Sequence, residues 1–160
     1  MASSADFTTP GKVLAIKDDG SVVFAPRGTS YELLLKHAGD APPVNEPVWA
    51  LIRGQGRKVW TVPNGGNFLV PIIGPTKIVQ GRVVYADDRE LVLKAGANVI
   101  VELPRAEAAV DLPNGAIAVG VMVNATLLPG ARVEFVAKRE TMVATPEVRT
   151  VGAGYGDAKP

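Results

Sequence analysis

Punctuation is the feature that most constrains this chain. Its 17 glycines and 13 prolines are spread over the whole length of 160 residues and interrupt every candidate helix. Between them lie short runs rich in Val, Ile and Leu. In the first half these are Val13 to Ile16, Ser21 to Phe24, Tyr31 to Leu35, Val48 to Ile52, Lys58 to Val62 and Phe68 to Ile73. In the second half they are Lys77 to Tyr85, Glu90 to Lys94, Asn98 to Leu103, Ile117 to Asn124 and Arg132 to Ala137. Each run has strand length, β-branched enrichment and turn residues at its ends. Only "RAEAAV", Arg105 to Val110, joins good helix formers, and it is long enough for one or two turns at most. Many short strands at regular spacing predict an all-β sandwich or barrel.

A weak internal repeat refines this. "GKVLAIKDDGSVVF" (Gly11 to Phe24) is echoed by "GRVVYADDRELVL" (Gly81 to Leu93). Both read Gly, a basic residue, two aliphatics, a spacer, an Asp pair and an apolar strand. The physical content is a β-hairpin that opens on Gly and turns at Asp18-Asp19 or Asp87-Asp88. A looser echo links "EPVWALI" (Glu46 to Ile52) with "PGARVEFVA" (Pro129 to Ala137). The pattern predicts two small barrels in tandem, residues 10–75 and 76–137, joined near Gly74-Pro75. One continuous sheet system is the alternative. Residues 1–9 and 138–160 are expected to be flexible tails, with a short strand at Glu147 to Val151 if a partner supplies an edge.

The pattern resembles the small-barrel modules called OB-fold and SH3-like. The likeness spans roughly Pro10 to Ala137. It is carried by the Gly-led hairpins and the "LLPGARVEFVA" strand. It implies that proteins of this shape bind nucleic acid, oligosaccharide or other proteins, but a fold does not fix a function, and it transfers no site residue.

Several chemistries are excluded. With no cysteine there is no disulfide, thiolate catalysis or Cys-based zinc site. A formal net charge of +1 lacks the basic excess of a dedicated duplex-DNA binder. "MASSADFTTP" has neither the basic nor the apolar region of a signal peptide. No apolar run approaches the roughly 20 residues needed to span a bilayer as a helix. A soluble, cytoplasmic protein that makes no membrane contact is expected.

Two stretches resemble sites. "TVPNGGNFLV" (Thr61 to Val70) could cradle an anion on backbone N–H groups. It matches neither phosphate-loop motif, and the pattern shows no helix after it. Turn chemistry explains it better: Pro63 presets φ, Asn64, Gly65 and Gly66 accept positive φ, and "LPNGA" (Leu112 to Ala116) repeats the device. Asn67 and Phe68 are then left at a loop rim. "VWALIRGQGRKVW" (Val48 to Trp60) holds both tryptophans, Trp49 and Trp60, around Arg53, Arg57 and Lys58, which are placed on a turn between two strands. Aromatic platforms beside cations suit single-stranded nucleic acid. Two core tryptophans flanking a solvated turn are the alternative.

The remaining polar features are weak. The Asp pairs lack the calcium-loop spacing and read as turn caps. His37, the only histidine, belongs to no catalytic motif and is expected to be a surface bystander. No catalytic residue, cofactor or metal ligand is predicted. The expected function is non-enzymatic binding or assembly through a protein partner or a homo-oligomer. A single-stranded nucleic-acid or RNA module using the Trp/Arg/Lys cluster is the alternative.

Overall fold

The computed structural model describes residues 3–105, 109–112 and 115–137. These residues form an all-β protein with no α-helix. A 3-10 turn, Ser4–Asp6, precedes twelve strands. They are β1 (Thr9–Ile16), β2 (Val22–Pro26), β3 (Glu32–Leu35), β4 (Pro47–Val62), β5 (Phe68–Val70) and β6 (Ile73–Pro75). The rest are β7 (Ile78–Ala86), β8 (Glu90–Lys94), β9 (Asn98–Glu102), β10 (Val110–Asp111), β11 (Met122–Leu127) and β12 (Arg132–Val136). Ala106 to Ala108, the middle of the expected "RAEAAV" turn, lie outside the described residues, and Val110 is in a strand.

Strand pairing closes a five-stranded barrel. The circuit runs β7–β8–β9–β4–β11 and returns to β7, antiparallel throughout except for the parallel β9–β4 pair. Closure leaves these strands no open edge in the ring. A second circuit runs β1–β2–β3–β12–β4–β1. There the β3–β12 step is one isolated parallel bridge, Lys36 to Arg132. Both circuits use β4: Pro47–Arg53 pairs with β1 and β12, and Gly56–Val62 pairs with β11.

This sharing departs from the boundary expected at Gly74-Pro75. The chain after that point is not self-contained, because β12 pairs with β4 at Trp49–Arg53 rather than with β7 or β11. Two expected strands, Val48 to Ile52 and Lys58 to Val62, are one 16-residue strand. "GQG" reads as a turn but lies within it. A Cβ on Gly54 would come within 2.8 Å of a Leu127 methyl. One on Gly56 would come within 3.0 Å of the Glu102 carbonyl oxygen and 3.1 Å of a Val59 methyl. These glycines allow neighbouring strands to approach closely where β4 passes from one circuit to the other.

The two echoing segments take the same local form. In β1–β2, Val13 faces Phe24 and Ala15 faces Val23, so the register slips between them. In β7–β8, Val83 faces Leu93 and Tyr85 faces Val92, with the same slip. Each irregularity lies two to four residues after the lead glycine, Gly11 or Gly81. A bulge adds local twist and helps a short sheet to curl.

Alternation along the strands directs one face of each circuit into a shared core that includes Val13, Phe24, Leu33, Ile52, Val59, Leu91, Leu93 and Val123. A smaller cluster joins Leu51 to Val92 and Ile100, with Ala5, Phe7, Tyr85 and Val136 packed on it. The expected N-terminal tail is therefore corrected over its described part. Ser4, Thr8 and Thr9 are buried. Phe7 packs 5.9 Å from the Tyr85 ring. The Asn98 backbone N–H donates to the Thr9 hydroxyl at 2.9 Å, and its amide donates to the Thr8 carbonyl at 3.1 Å. The expected C-terminal tail, 138–160, and the strand at Glu147 to Val151 lie outside the described residues.

Candidate functional site

Long β4 carries most of the residues singled out in the sequence, and it separates them. Trp49 and Trp60 stand eleven positions apart on one strand, up to about 36 Å if fully extended. Neither is fully buried or fully exposed. Trp49 faces Pro10 of β1 and Val136 of β12. Trp60 faces Asn124 of β11 and Asp111 of β10, and the Lys58 ammonium sits 5.8 Å from its ring centroid. Lys58 is two residues before Trp60 and so projects to the same face.

Arg53 is engaged elsewhere. Its guanidinium donates to Glu90 at 3.3 Å, and both side chains are mostly shielded, at 23% and 20% exposure. Glu90 also accepts from the Ser4 hydroxyl. Glu102, directly across the ladder from Glu90, accepts from Arg132 at 2.7 Å. Arg132 in turn lies across the ladder from Arg53. Two like-charged cross-strand pairs, each unfavourable alone, are thus set against each other as two ion pairs. Sequence spacing could not disclose this group, because it joins four strands.

Arg57 is exposed and borders a cavity of about 1120 Å³. Its charged lining is balanced: Arg57, Arg89 and Arg105 against Asp88, Glu90 and Glu102. A second cavity of about 740 Å³ contains Trp49, Lys12 and Arg27 and has no carboxylate in its lining. His37 is not a surface bystander. It is half-buried, with its ring edge-on to Phe135 at 5.1 Å.

The "TVPNGG" segment links β4 to β5 and is exposed from Pro63 to Asn67. The Gln80 amide donates to the Gly66 carbonyl at 3.0 Å, and Gln80 itself accepts from the Asn124 amide. Gly65 has φ +138°, a conformation that favours glycine. Phe68 is half-buried in the β5–β7 ladder, opposite Gln80, and Asn67 is exposed beside it. The segment turns the chain and is tied down by its own neighbours.

The sequence did not single out the open sheet edge. β6 ends the strand order, paired on one side to β3. The Glu32 N–H donates to the Ile72 carbonyl at 2.8 Å. At and just before this edge Ile73 is 66% exposed and Ile72 58%, and Val70, at the end of β5, is 38% exposed. Three exposed large aliphatics thus fall within four residues of chain at a strand that is paired on one side only. "FLVPIIGPT" held the signal, but uniform hydrophobicity does not tell an exposed edge from a buried strand.

One carboxylate of each Asp pair caps a turn. The Asp19 carboxylate accepts the Ser21 N–H at 2.9 Å. Asp87 accepts the Arg89 and Glu90 N–H groups at 2.8 and 2.9 Å and the Tyr85 hydroxyl at 2.8 Å. The backbone donors hold both carboxyls below the usual value of 3.8. A carboxyl lowered on folding stabilises the protein fully above its unfolded value and loses that contribution as pH falls through the folded one. The unfolding midpoint is therefore expected to drop as pH falls below about 3.8, and to drop less in Asp87→Asn. Thermal melts of both proteins across acid pH check this.

Comparison with protein-family models, curated proteins and solved structures returns no match.

Proposed function

We propose that this chain is a non-catalytic binding or assembly module that acts through protein contacts. Its two circuits form tandem small barrels that share β4. One observation carries the reading: the open β6 edge with Val70, Ile72 and Ile73 exposed beside it. An open edge offers unpaired backbone groups to another strand, and an apolar rim adds area to bury. The N–H and C=O of Ile73 alternate away from β3, toward that edge. A cytoplasmic setting agrees with the lack of cysteine. Among the described residues no helix is long and apolar enough to cross a membrane.

The nucleic-acid alternative draws less support. The tryptophans are at opposite ends of β4, and Arg53 is committed to Glu90. Among the described residues, only Lys58 and Trp60 pair a cation with a ring.

Sedimentation over a range of concentrations tests the edge. Wild type is expected to associate, and Ile72→Ser/Ile73→Ser to remain monomeric. Both positions are exposed, so the variant's folding stability should change by no more than about 1 kcal/mol. A wild-type chain that stays monomeric at every concentration would count against self-assembly. A wild-type chain that associates identically to the variant would remove the edge from the reading.

A further inference from the structure

Away from the β6 edge, the cavity of about 740 Å³ has a lining with a single sign of charge. On β1, Val13 is in the core, and a Cβ on Gly11 would run into the Phe24 ring. Alternation therefore turns Pro10 and Lys12 outward. Residues directly opposed across a ladder share a face. Pro10 is opposed by Trp49, and Trp49 by Val136. Lys12 is opposed by Ala25 on one side and Pro47 on the other. The result is a floor of Trp49, Pro10, Pro47 and Val136 across the three adjacent strands β1, β4 and β12. Arg27, just after β2, and Asn45 belong to the polar part of the lining.

Lys12 and Arg27 are the only charged residues in this lining, and both are exposed. Neither has an ion-pair partner among the described residues. The lining of the cavity of about 1120 Å³ instead holds both signs, three cations and three carboxylates. We infer that the Trp49 groove is a second binding surface, separate from the β6 edge, and that it takes an acidic, extended protein segment. Charge complementarity calls for the acid. One indole between prolines suits an extended, proline-compatible backbone. A single-stranded nucleic acid would need successive stacking rings, and the groove holds one. The chain's own C-terminal stretch is a poor match. After Ala137 it carries Lys138, Arg139, Arg149 and Lys159 against Glu140, Glu147 and Asp157.

Amide NMR of the full chain tests this, with a short peptide of alternating Glu and Pro as the probe. Shifts are expected at the Trp49 indole N–H and at Lys12, Arg27 and Gly28, weakening with salt. Lys12→Glu/Arg27→Glu, at two exposed positions, is expected to weaken binding about tenfold or more. A Lys-Pro peptide should not bind. Ile72→Ser/Ile73→Ser should bind the probe like wild type, so failure at the edge and failure in the groove can be told apart. No shift at Trp49, or affinity unchanged by the charge reversal, would overturn the assignment. Tighter binding of an oligouridine probe at the same residues would overturn it in favour of nucleic acid.

Discussion

Gly81→Ala is expected to destabilise the protein by about 3 kcal/mol or more, lowering Tm by roughly 10 °C. Replacing Gly with Ala usually stabilises by about 0.4–1 kcal/mol, because the unfolded chain loses freedom. Here the opposing term is larger. Gly81 is buried, and a Cβ there would overlap the Lys94 carbonyl oxygen and lie 2.7 Å from its carbon. Both are backbone atoms of the paired strand, so relief requires the β7–β8 ladder to move. Gly11→Ala should behave alike, since its Cβ would overlap the Ala25 carbonyl oxygen and meet the Phe24 ring at 2.5 Å. Gly66→Ala is the control. Nothing lies within 4 Å of its Cβ, and its effect should fall within about 1 kcal/mol of zero. Urea unfolding of the three variants decides the matter. A Gly81→Ala protein as stable as Gly66→Ala would show that the lead glycine is incidental.

That pair of glycines marks what the sequence could disclose. "GKVLA" and "GRVVY" are local patterns, and each makes a local object: a strand that approaches its neighbour closely and then slips register. The all-β class was legible for the same reason, since strand length and turn residues are read over a few positions. The course of β4 was not legible. Gly54 and Gly56 look like a turn because glycine permits turns, yet here they make room for Leu127 and Glu102, far along the chain. Nor could the pairing of Arg53 with Glu90 be read, because it depends on where β8 and β9 pass. The tryptophans illustrate the same limit. Eleven residues look like a cluster if the chain turns between them, and like two separate places if it does not. The Trp49 groove depends on β1, β2 and β12 arriving beside that ring.

Phe7→Ala is expected to lower stability by about 2 kcal/mol, below the 3–5 kcal/mol typical of a fully buried aromatic because the ring is half-buried. A loosely ordered tail would predict a change within about 1 kcal/mol, so the measurement separates two physical pictures. In the structure, Phe7 covers the small cluster of Leu51, Val92 and Ile100, where the outer face of β4 meets β8 and β9. Two polar anchors hold the strap in place. Thr8 and Thr9 bond to Asn98, and Ser4 donates to Glu90, which also receives Arg53. Glu90→Gln removes the charge that both groups address. If the strap is one cooperative unit, the combined Phe7→Ala/Glu90→Gln loss should differ from the sum of the single losses by about 0.5 kcal/mol or more. Additive losses would instead mean that the ring and the ion pair stabilise the seam independently. In that case the terminal residues would serve only as a lid over apolar surface. A measured coupling would place the N-terminal residues within the same cooperative structure as β4, whose length joins the two circuits.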